Sequence, residues 1–430
     1  MKSLLSYEFK KIITRPFTLI VCFGCIAVMV LFVIFAASET LTYAWGPDIY
    51  GSYEAIPQNE LDIARDNYDL EGGALAFTGS RAIALEKEYT KRFEGEWNNE
   101  RLQQIAAEYL AYKNNPDIYT DELDEWAMQI RAWTLGTEMS PEEISAYDAA
   151  NPIYIMKPEH EYREGAEWQT ISYLLEEYVI NADGSVKSFE EAFPLAGESA
   201  VYEYHNGPLF STQAQGLFVG LMALLVLLAG LAPVFSDEVA CRTEPMLLAA
   251  KYGRDKLVQA KILAGLLFSL LALLALTSVN VLLSGAAFGF EGYNMPVQLD
   301  VNDHSLPFAF TYLQYLLAML GLQALGVCSM GAVVMLLSVL IRSAIPVIFA
   351  GGLFSIFPLF IFSVSGTPRY IVETLPPGTA MPSYLLYDGL ADGWGKLPLP
   401  QWMLAILICA AILVVSIIAI SGRYKKPGKA

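Results

Sequence analysis

The chain is poor in the residues on which most site chemistry rests. Its 430 residues include three histidines and five cysteines. His160, His205 and His304 have no ligand neighbour three or four positions away on a clear helix, so no metal is assigned. Asp300, Asn302 and His304 begin like a calcium loop, but the central glycine and closing glutamate are missing. There is no GxxxxGK loop followed by Ser or Thr, no HExxH and no GxSxG, so no residue is assigned a catalytic role. None of the cysteines falls between residues 38 and 211, which leaves that segment without a disulfide staple. Charge is also scarce: 17% of residues are charged and 54% hydrophobic, with a mean hydropathy of +0.39. Soluble domains average about 25% charged, so an ordinary soluble protein is excluded.

The few charges are segregated. Of 45 acids and 27 bases (net charge -18), residues 38–211 hold 34 acids and 11 bases, a local balance of -23. The other 256 residues are overwhelmingly apolar and carry 11 acids and 16 bases. A nucleic-acid binder needs a basic face and is excluded. A single globular core is excluded as well. What fits is an all-α polytopic membrane protein with a mostly helical acidic domain outside the bilayer.

A helix needs about 20 apolar residues to cross the hydrocarbon layer. Six segments meet this: 17–36, 213–235, 262–290, 308–341, 343–365 and 401–421. Lys and Arg cluster before the first span (Lys2, Lys10, Lys11, Arg15), between the second and third, at Arg342 and after the sixth. Loop 291–307 has none, and 366–400 has only Arg369 and Lys396. By the positive-inside rule both termini face the cytoplasm and 38–211 lies outside a plasma membrane. Ala36, Ala37 and Ser38 resemble a cleavage site, but the apolar run exceeds a signal h-region, so an uncleaved anchor is expected. The domains read as 1–15, an amphipathic helix; 16–37, span one; 38–211, the acidic domain; 212–365, spans two to five; 366–400, an outer segment; 401–422, span six; and 423–430, a basic tail.

The 25 aromatic residues within 38–211 argue against a disordered acidic loop. Residues 79–113 read as helix, with Leu85, Tyr89, Phe93, Trp97, Ile105, Tyr109 and Tyr112 at helical spacing. Further helices are expected over 121–135, from Pro141 behind a capping box, and over 161–178, with a turn at 181–184. Within the spans the main polar intrusions are Asn280, Gln314 and Gln323, which suit interhelical hydrogen bonds or substrate contact. Gly216 and Gly220 form a small-xxx-small pair that serves either a dimer seam or packing inside one protomer.

The most informative stretch follows the second span. Thr243 can cap a short helix, Pro245 sits in its first turn and Gly253 stops it. Met246, Leu247, Leu248, Ala249 and Ala250 make that helix too apolar for water and too short to span. It calls for a partner protein surface, the headgroup layer, or both. At the amino terminus Leu5, Phe9 and Ile12 form the apolar face of an interfacial helix that touches membrane lipid.

An amphipathic N-terminal helix, six spans and a loop of the form F-x-x-E, T-x-x-x-L-L, R and K resemble the type-2 permease family of ABC transporters. Phe235, Glu238, Thr243, Leu247, Leu248, Arg254 and Lys261 carry the match, and Arg242 stands where glycine commonly precedes the threonine. The large domain between the first two spans is similar to that of a bacterial subset. The resemblance implies a coupling helix at 243–253 docked on a separate ABC ATPase subunit. Glu238, Arg242, Thr243, Glu244, Met246, Leu247, Leu248, Lys251, Tyr252, Gly253 and Arg254 would be the coupling residues. It also implies that ATP and Mg bind the partner and no cofactor binds this chain. A second permease subunit, the same or different, and short re-entrant helices within 366–400 are implied as well. The expected function is the permease subunit of an exporter of a peptide, lipid or other amphipathic substrate. The alternative is a signalling permease that moves its outer domain without transport.

Overall fold

The computed structural model describes residues 2–38, 40–45, 74–114, 168, 171–204, 212–243, 246, 249, 253–301, 303–341, 343–362, 371–382, 385–386, 390–391 and 397–425. In chain order the elements are α1 (Lys2–Ile13), α2 (Pro16–Ser38), β1 (Leu41–Trp45), β2 (Ala74–Thr78), α3 (Gly79–Thr90), β3 (Gly95–Asn98) and α4 (Asn99–Lys113). Next come α5 (Phe189–Ala192), β4 (Ser199–Tyr202), a π-helical segment Thr212–Val219, α6 (Gly220–Leu231) and α7 (Pro233–Ala240). A π-helical turn, Gly253–Leu257, leads into α8 (Val258–Phe288), followed by α9 (Tyr312–Leu340), α10 (Ala344–Phe362), α11 (Pro376–Ala380), a short hairpin Leu390–Ala391 with Leu397–Pro400, and α12 (Gln401–Lys425). The chain divides into two compact units.

The first unit holds Met1–Val33, Asn206–Gly289 and Ser305–Ala430. Among the described residues five helices are long and apolar enough to cross a membrane: Pro16–Ser38, Gln215–Ala240, Asp255–Phe288, Tyr312–Leu340 and Gln401–Tyr424. They occupy five of the six expected segments, and the 19-residue α10 lies on the sixth. Pro16 opens α2 at a position where a missing N–H costs nothing. Thr311 and Gln314 form a reciprocal capping box at the start of α9, so Gln314 is a cap rather than an intrusion. The second span continues to Ala240 and the third begins at Asp255, longer than the apolar runs alone suggested. Asp237, Glu238 and Lys261 are taken into helices because they are paired there.

Glycine lets backbone meet backbone in this unit. A Cβ on Gly220 would fall 2.0 Å from the Ala380 carbonyl oxygen, and one on Gly326 would fall 2.4 Å from the Ala380 nitrogen. The short buried helix α11 therefore rests on glycine backbone of the second and fourth spans. Gly220 serves packing within one chain. Beside it lies a buried amide network. The Gln215 amide donates to Thr277 Oγ1 and to Gln323 Oε1, both at 3.1 Å, and Asn280 donates to Gln215 Oε1 at 3.1 Å. Gln323 in turn donates to the Gln215 and Gly216 carbonyls at 2.7 and 3.1 Å. These partners satisfy one another, as buried amides in an apolar bundle must.

The second unit holds Ile34–His205 and also Phe290–His304, so the acidic domain recruits the loop between the third and fourth spans. Local sequence gives no sign of this. The loop is held by side-chain chemistry: Gln298 Oε1 accepts from the Leu195 N–H at 2.9 Å, Lys87 pairs with Glu291 at 3.1 Å, and His304 stacks on Tyr178 with ring centroids 3.6 Å apart. The expectation of one helix over 79–113 is corrected. Gly95 at φ +120° and the Asn98 cap divide it into α3, β3 and α4. Trp97 lies on β3, which pairs antiparallel with β4 in the register Trp97 to Ala200, and its ring stacks on Tyr202 at 4.6 Å. A left-handed residue cannot continue a helix, so the apolar spacing misled. The turn at 181–184 forms, with Gly184 at φ +81°. Residues 121–135 and 140–167 lie outside the described residues.

His304 gives the second unit a pH dependence. Burial disfavours its cation and lowers its pKa, with Lys187 adding to the shift and the Gln298 carbonyl opposing it. The unfolded chain then binds a proton that the folded chain resists, so this contribution is present above the ordinary histidine value of about 6.5 and is lost as pH falls through it. Thermal melting of the second unit is expected to drop between about pH 7 and about pH 5. His304→Phe, which keeps the stack and has no proton to bind, should flatten that slope.

Candidate functional site

The loop that follows α7 is prepared by a break in the second span. Pro233 has no N–H and cannot bond the Ala229 carbonyl four residues back. Thr18 Oγ1 donates to that carbonyl at 3.4 Å. Arg15 donates to the Gly230 carbonyl at 3.5 Å and to the Pro233 carbonyl at 3.4 Å, and pairs with Asp237 at 3.1 Å. From α9, Ser338 Oγ accepts from the Phe235 and Ser236 N–H groups at 3.1 and 3.0 Å and donates to the Ala232 carbonyl at 2.6 Å. The interrupted hydrogen-bond ladder is thus supplied with partners by side chains from other elements, which hold this part of the span in place.

Phe235 and Glu238 lie three apart on one face of α7, the spacing that makes helix side chains neighbours. Both reach Lys261 of α8. Lys261 Nζ is 2.6 Å from Glu238 Oε1 and 2.9 Å from Glu8 Oε2 of α1, and it donates to the Val234 carbonyl at 3.3 Å. Its ammonium lies 5.7 Å from the Phe235 ring centroid, and that ring stacks on Tyr424 of α12 at 5.7 Å. Lys11 adds a longer contact to Glu238 at 3.5 Å. Lys261 is 1% exposed and Glu8 4%, so one buried cation is shared by two carboxylates from different elements.

The three sequence-derived residues Phe235, Glu238 and Lys261 are therefore one cluster. Glu8, Lys11, Arg15, Asp237 and Ser338 complete it, and sequence reasoning gave none of them this role. One signal was available: Glu8 is the sole acid in the first 38 residues, set among bases on an otherwise apolar helix. The face of Leu5, Phe9 and Ile12 packs on the bundle core, with Ile12 itself buried in it. The helix is amphipathic as expected, but its apolar side meets protein.

Helix α7 ends in a Schellman motif. The Thr243 N–H donates to the Glu238 carbonyl at 2.9 Å and the Arg242 N–H to the Val239 carbonyl at 3.1 Å. Arg242 takes the left-handed C′ position at φ +58°, the single non-glycine residue with positive φ among the described residues. This explains why glycine suits the place before the threonine. Thr243 Oγ1 turns back to the Glu238 carbonyl at 3.3 Å, so its hydroxyl closes α7 rather than being seen to open the next helix. Met246 is helical and 78% exposed. Gly253 is the first residue of the π-helical turn into α8, so it opens a helical segment instead of only ending one. Glu244, Leu247, Leu248, Lys251 and Tyr252, and the Arg254 side chain, lie outside the described residues. Among the described residues no group of acids, histidines and cysteines is placed to hold a metal.

Two substitutions test this arrangement. Lys261→Met leaves two buried carboxylates facing each other and should cost about 3–5 kcal/mol. In a Glu8→Gln background the same change should cost less, read as non-additivity in a double-mutant cycle of thermal unfolding. Arg242→Gly should raise apparent stability by up to about 1 kcal/mol, because left-handed backbone costs a side chain roughly that much. Arg242→Val should lower it.

Comparison with known proteins agrees with this architecture. The family model described as ABC-2 family transporter protein matches residues 3–427. Searches of curated proteins and of solved structures returned no match. With the match running over nearly the whole chain, five apolar helices of spanning length and a polar cluster at the loop between the second and third of them, the chain belongs to the ABC-2 family of transporter proteins.

Proposed function

We propose that the chain is the transmembrane subunit of an ATP-driven exporter whose nucleotide is bound and hydrolysed, with Mg, on a separate ABC ATPase subunit. Two permease subunits, identical or different, form the path between them, and both termini face the cytoplasm. Residues 243–253 form the segment that the ATPase grips. The observation that carries this reading is the convergence of α1, α7 and α8 on buried Lys261. A push on the loop is passed to the N-terminal helix and the third span together, because none can shift without parting an ion pair in a low-dielectric interior. Exposed Met246 supports a docking surface, since a long apolar side chain at 78% exposure is better placed against a partner than in water. ATP acts by favouring one arrangement of the spans over another.

A second reading has its own support. The second unit takes chain from both 34–205 and 290–304, so the polypeptide passes between the units four times. Such multiple tethering suits a permease that transmits motion to its outer domain. ATP-dependent release of a candidate peptide or lipid from reconstituted vesicles favours export; ATP turnover with no substrate movement favours transmission.

The docking role has a direct check. Leu247→Asp with Leu248→Asp should reduce co-purification of the ATPase by at least tenfold, since each buried leucine contributes about 2 kcal/mol. Undiminished complex would refute it.

A further inference from the structure

We infer that a slot between the first, second and third spans holds one acyl chain of an anionic phospholipid. The slot has a volume of about 200 Å³ and is lined by residues of α2, α6 and α8 with Ile13 at one end. Its floor is made of buried Thr18, Val226, Phe268 and Leu276, and its mouth of exposed Ile13, Leu19, Leu271 and Ala275. It is a cleft roofed by whatever surrounds the spans. The lining from Thr18 to Ile26 runs over eight residue-to-residue steps of helix, about 12 Å at the helical rise of 1.5 Å per residue.

Water does not suit this space. A buried water needs two to four polar partners, and the slot offers only the Thr18 hydroxyl, already donated to the Ala229 carbonyl, and the Cys22 thiol. An apolar cavity of about 150 Å³ stays dry and takes a hydrocarbon. The hydrocarbon that bathes spanning helices is the lipid chain, and an elongated cleft open along its side admits a chain without opening the bundle.

The head of that lipid is identified by charge. Ile13, at the slot's end, lies one turn from Lys10 on α1. Lys10 is exposed and forms no ion pair among the described residues, whereas Lys11 pairs with Glu238 and Arg15 with Asp237. One ammonium is thus left at the level where α1 ends and α2 enters the apolar zone, the place of a phosphate headgroup. No acid lies on the slot lining.

Native mass spectrometry of the purified full chain, delipidated and titrated with palmitoyl-oleoyl phosphatidylglycerol or phosphatidylcholine, tests this. The expected result is one retained lipid with about a fivefold preference for the glycerol lipid, the effect of a single lysine near an anionic headgroup. Ala272→Phe, which fills the cleft, should abolish retention. If that variant fails to fold, Ala275→Trp at the exposed mouth decides in its place. Lys10→Gln should keep the lipid and lose the preference. Equal retention by wild type and a folded filled variant overturns the slot, and equal binding of the two lipids by wild type overturns the anionic assignment.

Discussion

A buried lysine ammonium shared by two carboxylates is the constraint around which the loop end of the bundle is built. Lys261 sits in a helix that is otherwise a long apolar run, and its charge is tolerated only because Glu8 and Glu238 meet it at 2.9 and 2.6 Å. Each carboxylate arrives from a different element. The N-terminal helix must therefore lie against α8, and the second span must stay helical past its apolar stretch to deliver Glu238. The apolar face of Leu5, Phe9 and Ile12 then packs on the same surface, so hydrophobic burial and ion pairing orient α1 in one sense. Such a pair adds little net stability compared with apolar residues, but it tolerates few alternative geometries.

The helix interruption at Pro233 lies beside that cluster. Proline removes one hydrogen bond, and three side chains from elsewhere, those of Thr18, Arg15 and Ser338, replace what is lost. A flexible break would absorb a push from the loop. A break clamped on three sides passes it on, which is what the proposed exporter requires. The π-helical segments at Thr212–Val219 and Gly253–Leu257 run into the starts of the second and third spans. Their wider turns are uncommon and often mark functional positions. The first is held by the Gln323 amide on its carbonyls, and near it Gly220 and Gly326 admit the backbone of α11.

The second unit shows a separate logic. Without disulfides it relies on a packed aromatic core, where Trp168 contacts Phe93 and Tyr109 at centroid distances of 5.2 and 5.3 Å. Arg92 covers the Trp168 ring at 4.9 Å, and Tyr109 donates to Glu176 at 2.7 Å. The loop from 290 to 304 contributes Gln298 and His304 to this unit. Its absence of Lys and Arg, which served to orient it, says nothing of that structural task.

What the sequence determined by itself was whatever depends on neighbours within a few residues. Apolar runs of about 20 residues placed the spans, because only a helix satisfies every backbone group in hydrocarbon. The 181–184 turn was legible for the same local reason, and the spacing of Phe235 and Glu238 put them on one helical face. The tertiary structure decided which distant groups meet. Glu8 and Lys261 are 253 positions apart, and Phe235 and Ser338 are 103 apart. No local pattern encodes such a pairing, and a lone glutamate on a basic helix reads as a solvated charge until its cation is found. Trp97 belongs to a strand because its backbone is paired in register with Ala200, about a hundred positions away, whatever the spacing of its own neighbours suggests. Arg242 adopts left-handed backbone because the Schellman closure of α7 demands it, against the preference of its own side chain.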